Sequence, residues 1–274
     1  MAMKKIEKPS WLKVRWTGDK RYLEVQDLIL QNDLHTVCQE ANCPNRGECF
    51  SSGTATFLIM GPNCTRNCRF CNIDHKKILP IDPDEPARLA RAVDILKLKH
   101  AVITSVTRDD LEDGGAGQFA SVIKEIRRLE IRPTIEVLTP DFLGNRPDVE
   151  TVLKAEPDVF NHNVETIPRL YSDVRPQGNY KRSLAVLEIA SEYTESVKSG
   201  LMVGLGESKE ELKHVFFDLH RVGVKYLTIG QYLPPSDKHF PLEKYYHPDE
   251  FKELAEMAER AGIPNVFSSP LVRS

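Results

Sequence analysis

All six cysteines of this chain lie between residues 38 and 71. They form two groups, which we call the first triplet (Cys38, Cys43 and Cys49) and the second triplet (Cys64, Cys68 and Cys71). The spacings are C-x4-C-x5-C and C-x3-C-x2-C. Thiols gathered this closely usually either bind a metal centre or pair as disulfides, so the choice between these two alternatives limits both the fold and the function.

The rest of the sequence favours the metal alternative. Six cysteines in 274 residues are too few for a disulfide-stabilised scaffold, which is typical of small secreted chains. No apolar segment follows Met1–Lys5, so we expect no secretory signal. No run of 18 apolar residues is present, so we expect no membrane span. A net charge of −3 without a basic block gives no sign of a nucleic-acid partner. We therefore expect a cytoplasmic protein with reduced thiols.

The hydrophobic pattern predicts an N-terminal extension followed by alternating strands and helices. In the extension we expect a helix over Arg21–Leu34 and a loop over Gln39–Gly53. Strands are predicted at residues 56–60, 101–105, 134–138, 159–163, 198–203 and 226–229, with a last short one at 265–267. Helices are predicted at 84–99, 118–129, 148–155, 180–193, 209–222 and 248–261. This alternation is typical of a parallel α/β sheet, either a barrel or doubly wound. The missing G-x-G-x-x-G after the first strand disfavours the dinucleotide-binding version.

The second triplet directly follows the first predicted strand of that alternation. In a parallel barrel, the loops that follow the strands form the active face. Three thiolates on one short loop can bind three irons of a cubane 4Fe–4S cluster and leave the fourth iron open for a ligand. The alternative is a structural zinc site in which His75 supplies the fourth ligand.

The pattern C-x3-C-x-Phe70-C after a first barrel strand resembles the motif of the radical S-adenosylmethionine superfamily. The resemblance implies an α/β fold of the partial (β/α)6-type TIM barrel. It also implies that the second triplet binds the 4Fe–4S cluster that cleaves S-adenosylmethionine to a 5′-deoxyadenosyl radical. In such enzymes the cofactor carries out the difficult chemistry, and the protein positions it.

Further segments resemble the lipoyl synthase family in particular. They are Lys8–Val14, Glu40–Asn45, Thr107–Gly115, Asn161–Thr166, Val174–Pro176 and Gly230–Ser236. The resemblance implies insertion of two sulfur atoms at C6 and C8 of a protein-bound octanoyl-lysine. It implies a second, auxiliary 4Fe–4S cluster on the first triplet, which supplies the sulfur. The organisation it implies is an extension over residues 1–53, a radical barrel over 54–262 and a tail over 263–274 that closes on the auxiliary cluster.

In the lipoyl synthase family, a serine of a C-terminal Arg-Ser-Ser motif is the fourth ligand of the auxiliary cluster. Pro270–Ser274 matches the start of that motif, which makes Ser274 the candidate ligand. The family serine corresponds to the position just beyond Ser274. The alternatives to Ser274 as the fourth ligand are therefore that following serine, the terminal carboxylate or a water molecule.

The resemblance also indicates residues for the S-adenosylmethionine or substrate pocket. The candidates are Phe70, Asn161, Asn163, Gly204, Gly206 and Glu207. Alternation places the two asparagines on one face of their strand, and a buried amide needs a partner. The alternative interpretations are structural: the asparagines satisfy neighbouring strands, and the segment around Glu207 begins a helix.

Two other functions remain open at this stage. One is another two-cluster radical enzyme, such as a methylthiotransferase or a biotin-synthase-like enzyme. The other is an iron–sulfur carrier with no reaction of its own. As partners, the family resemblance implies octanoylated lipoyl carrier domains, namely the glycine cleavage H protein or dehydrogenase E2 subunits. It also implies an electron donor of the flavodoxin or ferredoxin type.

Overall fold

The structure is a computed structural model that describes residues 6–13, 18–41, 43–52 and 54–274. Met1–Lys5, together with Val14 and Asn42 of the family segments, lies outside the described residues. One sheet contains eight strands in the order in which they occur along the chain. The strands are β1 His35–Thr36, β2 Thr56–Ile59, β3 His100–Ser105, β4 Thr134–Leu138, β5 Val159–Asn161, β6 Val197–Val203, β7 Tyr226–Gln231 and β8 Asn265–Ser268.

Ten α-helices accompany these strands in the described part of the chain. They are α1 Lys20–Gln31, α2 Val37–Glu40, α3 Arg46–Ser51, α4 Glu85–Leu96, α5 Ala116–Arg127, α6 Arg146–Leu153, α7 Tyr171–Val174, α8 Tyr180–Ser191, α9 Lys209–Arg221 and α10 Pro248–Arg260. Strand β1 pairs with β2 in antiparallel fashion, and every later pair is parallel. The fold is therefore an α/β partial barrel, as predicted.

The sheet has two different faces. Ile103, Ile135, Val137 and Phe160 are fully buried and belong to the main hydrophobic core. Since side chains alternate along a strand, the residues between them point to the concave face, which we call the lumen. Polar and small residues dominate that face, including Glu136, Asn161, Lys198, Gly200 and Thr228. This composition leaves polar groups available around the barrel axis.

The N-terminal extension packs on the edge of the sheet. Tyr22, Val25 and Ile29 of α1 are buried, and the Tyr22 ring lies 5.4 Å from that of Phe50 in α3. Trp11 meets His247, at the start of α10, with ring centroids 5.0 Å apart. The extension thus links the first strand of the barrel with its last helix.

The predicted strands and long helices are present, with ends that differ by a few residues. The prediction of a loop over Gln39–Gly53 is wrong, because α2 and α3 form there. These helices are too short for a hydrophobic period to show in the sequence. Strand β5 ends at Asn161 rather than at residue 163, and β8 occupies residues 265–268 of the expected tail. No helix in the described part of the chain is long and apolar enough to cross a membrane.

Candidate metal centre

The second triplet is presented by a loop that leaves β2 through a sharp turn. Met60 and Gly61 have φ values of 69° and 83°, a conformation that is unusual for methionine. The Met60 amide donates to both carboxylate oxygens of Glu85, at 3.0 and 3.1 Å. Gln118 Nε2 donates to the same carboxylate at 2.8 Å. Burial raises the pKa of Glu85. This buried acceptor holds the turn that aims the cysteine loop.

Within the loop, the backbone is folded around the sulfur atoms. Cys64 Sγ accepts hydrogen bonds from the amides of Arg66 and Thr107, at 3.4 and 3.3 Å. The Cys71 amide donates to the Cys68 carbonyl at 3.0 Å. Phe70 is half-buried and packs against the hydrophobic core. The three thiols therefore belong to a short loop that hydrogen bonds hold in place. Phe70 packs this loop against the hydrophobic core.

The protonation of these thiols fits a metal ligand set. Burial raises the pKa of the Cys71 thiol to about 12 and also raises that of Cys68. A thiol in such a place becomes a thiolate when a metal supplies positive charge. Among the described residues, no three His, Cys, Asp or Glu side chains are close enough to share one metal ion. This is compatible with a cubane cluster, in which each thiolate binds a different iron.

The first triplet is carried by the two short helices of the extension. Cys38 lies in α2 and is buried, Cys49 lies in α3, and Cys43 lies between the helices. The Cys43 amide donates to the Cys38 carbonyl at 3.2 Å, and Thr36 Oγ1 caps α2 by accepting from the amide of Gln39. Burial raises the pKa of Cys38 to about 11. The three thiols of this triplet thus lie within one short stretch of two helices and their connection.

The two cysteine regions and the C-terminal tail are connected by hydrogen bonds. Asn72 Nδ2, next to the second triplet, donates to the Glu40 carbonyl at 3.1 Å. Asn45 Nδ2, between Cys43 and Cys49, donates to the Leu271 carbonyl at 2.7 Å. The tail therefore lies against the first triplet, and the first triplet lies next to the second.

The structure places Ser274 in the lumen. Its Oγ lies 2.5 Å from Thr228 Oγ1 on β7. A Cβ atom at Gly200 would overlap this hydroxyl and would lie 2.7 Å from Asn163 Oδ1. Leu271 contacts the first cysteine region through its carbonyl, and Arg273 interacts electrostatically with Cys43. The role of Ser274 as a cluster ligand stays a prediction.

Three side chains at or just beyond the ends of β5 and α7 carry buried polar atoms without a hydrogen-bond partner. These atoms are Asn161 Oδ1, Asn163 Oδ1 and Arg175 Nε. Asn161 Nδ2 donates to Glu136 Oε1 at 3.2 Å, which leaves its oxygen free. Since buried polar groups are nearly always paired, atoms of this kind indicate a place for a ligand. Asn161 and Asn163 thus each carry an unpaired acceptor, and their role in a ligand pocket stays a prediction.

The glycine-rich turn after β6 has structural reasons of its own. Glu207 accepts hydrogen bonds from the amides of Gly204 and Leu205, at 2.7 and 2.9 Å. Gly204 and Gly206 both have φ values of 102°. A side chain at Gly204 would overlap Gln231 Nε2 and the Lys244 carbonyl. The Glu207 carboxylate is used to close the turn, so a contact between this turn and a cofactor stays a prediction.

The sequence pattern did not indicate that Arg66 belongs to a group of buried charges beside the cysteine loop. Arg66 lies within the second triplet, and its guanidinium binds Asp109 and Asp141. Glu165 and Arg175 form a second buried group, and Arg175 interacts with Cys68 of the loop. The signal in the sequence for the group around Arg66 is that Arg66, a charged residue, lies between two cysteines of a loop that must be buried.

Comparison with known proteins defines the class of this fold and site. Residues 58–219 match the model of the Radical SAM superfamily. A methylornithine synthase structure is similar over 94% of this chain and 85% of its own, with a TM-score of 0.59 and 13% identity. The hydrogenase maturase HydG is similar over 93% of this chain and 57% of its own, with a TM-score of 0.61 and 17% identity. At such identities the structures support the fold alone.

Curated relatives identify the family within this superfamily. The lipoyl synthase of Caldicellulosiruptor saccharolyticus is 51% identical over 99% of this chain and 96% of its own. That of Burkholderia pseudomallei is 49% identical over 100% of this chain and 84% of its own. The chain belongs to the lipoyl synthase family of radical S-adenosylmethionine enzymes. The family resemblance and the enzyme class are thereby confirmed.

Proposed function

We propose that the second triplet holds the cluster that binds and cleaves S-adenosylmethionine, and that the first triplet holds the auxiliary cluster that supplies sulfur. The chain is an enzyme of the lipoyl synthase family, and its reaction inserts two sulfur atoms at C6 and C8 of a protein-bound octanoyl chain. Its cofactors are S-adenosylmethionine and 4Fe–4S clusters. When bound, these cofactors supply the radical that abstracts hydrogen from unactivated carbon.

One observation carries this division of roles. The second triplet lies on the loop that follows β2, at the carboxyl-terminal edge of the parallel strands, whereas the first triplet lies outside the barrel in the extension. In parallel barrels, the reaction takes place at that edge. Asn161, Asn163 and Arg175 carry unpaired buried polar atoms, and Arg175 interacts electrostatically with Cys68. The second triplet is thus near an unpaired polar group, and the first triplet is near the tail.

The chain's own residues have defined tasks in this proposal. Glu85 and Arg66 fix the loop that carries the second triplet, through the Met60 amide and two aspartates. Asn161 and Asn163 offer acceptors to a hydroxyl or amine of the bound ligand. Ser274 is proposed as a ligand of the auxiliary cluster, which would require its hydroxyl to leave Thr228. The partial burial of both triplets limits the access of water to reactive intermediates.

The substrate class is a lipoyl carrier protein. Within that class, we propose the glycine cleavage H protein or dehydrogenase E2 subunits, each with an octanoylated lysine. We also propose a flavodoxin or ferredoxin-type protein as the electron donor, because the cleavage of S-adenosylmethionine consumes one electron. A cytoplasmic location is consistent with both partners and stays a prediction.

Iron content and two matched variants test this proposal. After anaerobic reconstitution, the chain should hold about eight irons, which corresponds to two cubane clusters. Cys43→Ala should retain formation of 5′-deoxyadenosine and lose sulfur insertion into an octanoylated carrier domain. Cys68→Ala should lose both. If Cys43→Ala also abolished formation of 5′-deoxyadenosine, the division of roles between the triplets would be wrong. An iron-free protein that retained zinc would overturn the proposal as a whole.

A further inference from the structure

A buried chain of hydrogen bonds ends at Arg175. His162 Nδ1 lies 2.9 Å from the Thr139 carbonyl, and His162 Nε2 lies 2.9 Å from Ser183 Oγ. The Tyr171 hydroxyl donates to Ser183 Oγ at 3.1 Å. Arg175 Nη1 then donates to the Tyr171 oxygen at 3.2 Å. All five residues are at most 8% exposed, so water does not compete for these bonds.

The partners fix the direction of every bond in this chain. A carbonyl can only accept, so His162 carries its proton on Nδ1. Burial lowers the pKa of His162 to about 4, so the ring is neutral and Nε2 accepts from Ser183. Ser183 has then used its proton and must accept from Tyr171. The phenolic oxygen of Tyr171 is therefore left as an acceptor, and it faces the guanidinium of Arg175.

Other contacts hold the guanidinium in the same place. Arg175 Nη1 also donates to the Asn163 carbonyl at 3.0 Å, and the guanidinium carbon lies 5.4 Å from the centroid of the Tyr171 ring. At Gly178 a Cβ atom would lie 3.2 Å from Arg175 Nε, so the absence of a side chain there leaves room for the arginine. The Nε atom is buried and unpaired. Arg175 is thus a fixed, buried cation that keeps an unpaired donor at Nε.

The backbone beside Arg175 is bound to the loop of the second triplet. The Arg69 amide donates to the Val174 carbonyl at 2.9 Å, and the Asn67 amide donates to Gln177 Oε1 at 3.3 Å. The buried carboxyl group of Glu165 also interacts with Arg175. Arg175 thus lies beside the loop that carries the second triplet, and Glu165 offsets part of its charge there.

We infer that Arg175, held by the chain of Tyr171, Ser183 and His162, raises the reduction potential of the cluster on the second triplet. This inference rests on the proposed function of that triplet. Reduction transfers one electron from the donor protein and adds one negative charge to the cluster. A nearby cation stabilises the reduced form more than the oxidised form, and net charge is one of the factors that set such potentials. Burial keeps solvent from screening the effect.

The test is a midpoint potential measured on the full chain with only one cluster. In a Cys38→Ala/Cys43→Ala/Cys49→Ala background, iron should bind to the second triplet alone. At the midpoint potential of this background protein, adding Arg175→Gln should lower the ratio of reduced to oxidised cluster about tenfold. A tenfold change is a shift of about 59 mV for one electron. Arg175→Lys keeps the charge and should shift the potential less. Tyr171→Phe should shift it in the same direction as Arg175→Gln, by a smaller amount.

Arg69→Gln is the matched control, because Arg69 adjoins Cys68 but is exposed. Solvent screens its charge, so the midpoint should not move. A cluster-loaded Arg175→Gln protein with an unchanged potential would overturn this inference alone. If the Arg175→Gln protein binds no cluster, the Arg175→Lys and Tyr171→Phe proteins provide the test instead. An unchanged midpoint potential in Tyr171→Phe, together with loss of the cluster in Arg175→Lys as in Arg175→Gln, would overturn the inference. If the background protein itself binds no cluster at the second triplet, the proposed function fails, and this inference fails with it.

Discussion

Arg66 Nη2 lies 2.6 Å from Asp141 Oδ1, and the two side chains are only 3% and 0% exposed. The same guanidinium binds Asp109 through Nε at 2.7 Å. Asp141 also accepts from Arg182 Nη1 at 3.2 Å and from the Leu143 amide at 3.2 Å. Two ion pairs of one buried guanidinium thereby join the loop of the second triplet to the loops that follow β3 and β4.

Removal of Asp141 should leave the buried Arg66 charge with one carboxylate partner, Asp109, in place of two. We predict that Asp141→Ala lowers the free energy of unfolding by about 3–5 kcal/mol, the range typical of broken buried pairs. Denaturant unfolding of proteins with equal iron content would measure this change. Asp237→Ala is the control, because that aspartate is exposed. A loss below about 1 kcal/mol for Asp141→Ala would show that the pair contributes no more than a surface ion pair.

The same pair should make stability depend on pH in the acid range. Burial raises the pKa of Asp141, but the hydrogen bond and charge of Arg66 outweigh it and lower the pKa to about 2. The pKa of an unfolded aspartate is about 3.9. The stabilisation is therefore complete above about pH 4 and is lost as the pH falls toward about 2. Across this window, we expect the wild-type protein to lose stability more steeply than Asp141→Asn. Parallel slopes for the two proteins would contradict the prediction.

Glu85 should control how the second triplet is presented. Glu85→Ala removes the acceptor for the Met60 amide and for Gln118. We predict a loss of about 1–3 kcal/mol, the usual cost of an unsatisfied buried donor. We also predict lower iron occupancy of the second triplet, because the turn at Met60 would relax. Thermal unfolding and iron per chain measure the two effects. The neighbouring, exposed Asp84 provides the control variant Asp84→Ala, for which neither quantity should change.

The position of the C-terminal tail in the lumen should depend on the absence of a side chain at Gly200. In Gly200→Ala, the new methyl group would overlap Ser274 Oγ and lie 2.6 Å from Thr228 Oγ1. Overpacking of this kind costs about 1–3 kcal/mol, so the tail should leave the lumen part of the time. We predict that amide exchange of residues 269–274 becomes about tenfold faster, since 1.4 kcal/mol corresponds to tenfold. Hydrogen-exchange mass spectrometry measures this rate. Thr228→Ser keeps the hydroxyl and should leave it unchanged; equal protection in Gly200→Ala would show that Gly200 does not constrain the tail.

Much of the fold could be predicted because its signals are local. Apolar runs and helical periods marked β2 to β8 and the long helices to within a few residues, since each pattern reflects burial on one side of an element. The helices α2 and α3 were missed, because four and six residues are too few for such a period. The spacing of the cysteines defined two sites, and this information is also local.

The sequence by itself determined the two cysteine triplets, their order along the chain and the alternation that forms a parallel barrel. Only the tertiary structure decided which charges meet at the second triplet. Arg66 and Asp141 are 75 positions apart, and His162 reaches Arg175 through Ser183 and Tyr171, which belong to different helices. The physical reason is that hydrogen bonds and ion pairs depend on distance and burial. For residues far apart in sequence, both are set by how the strands and helices pack.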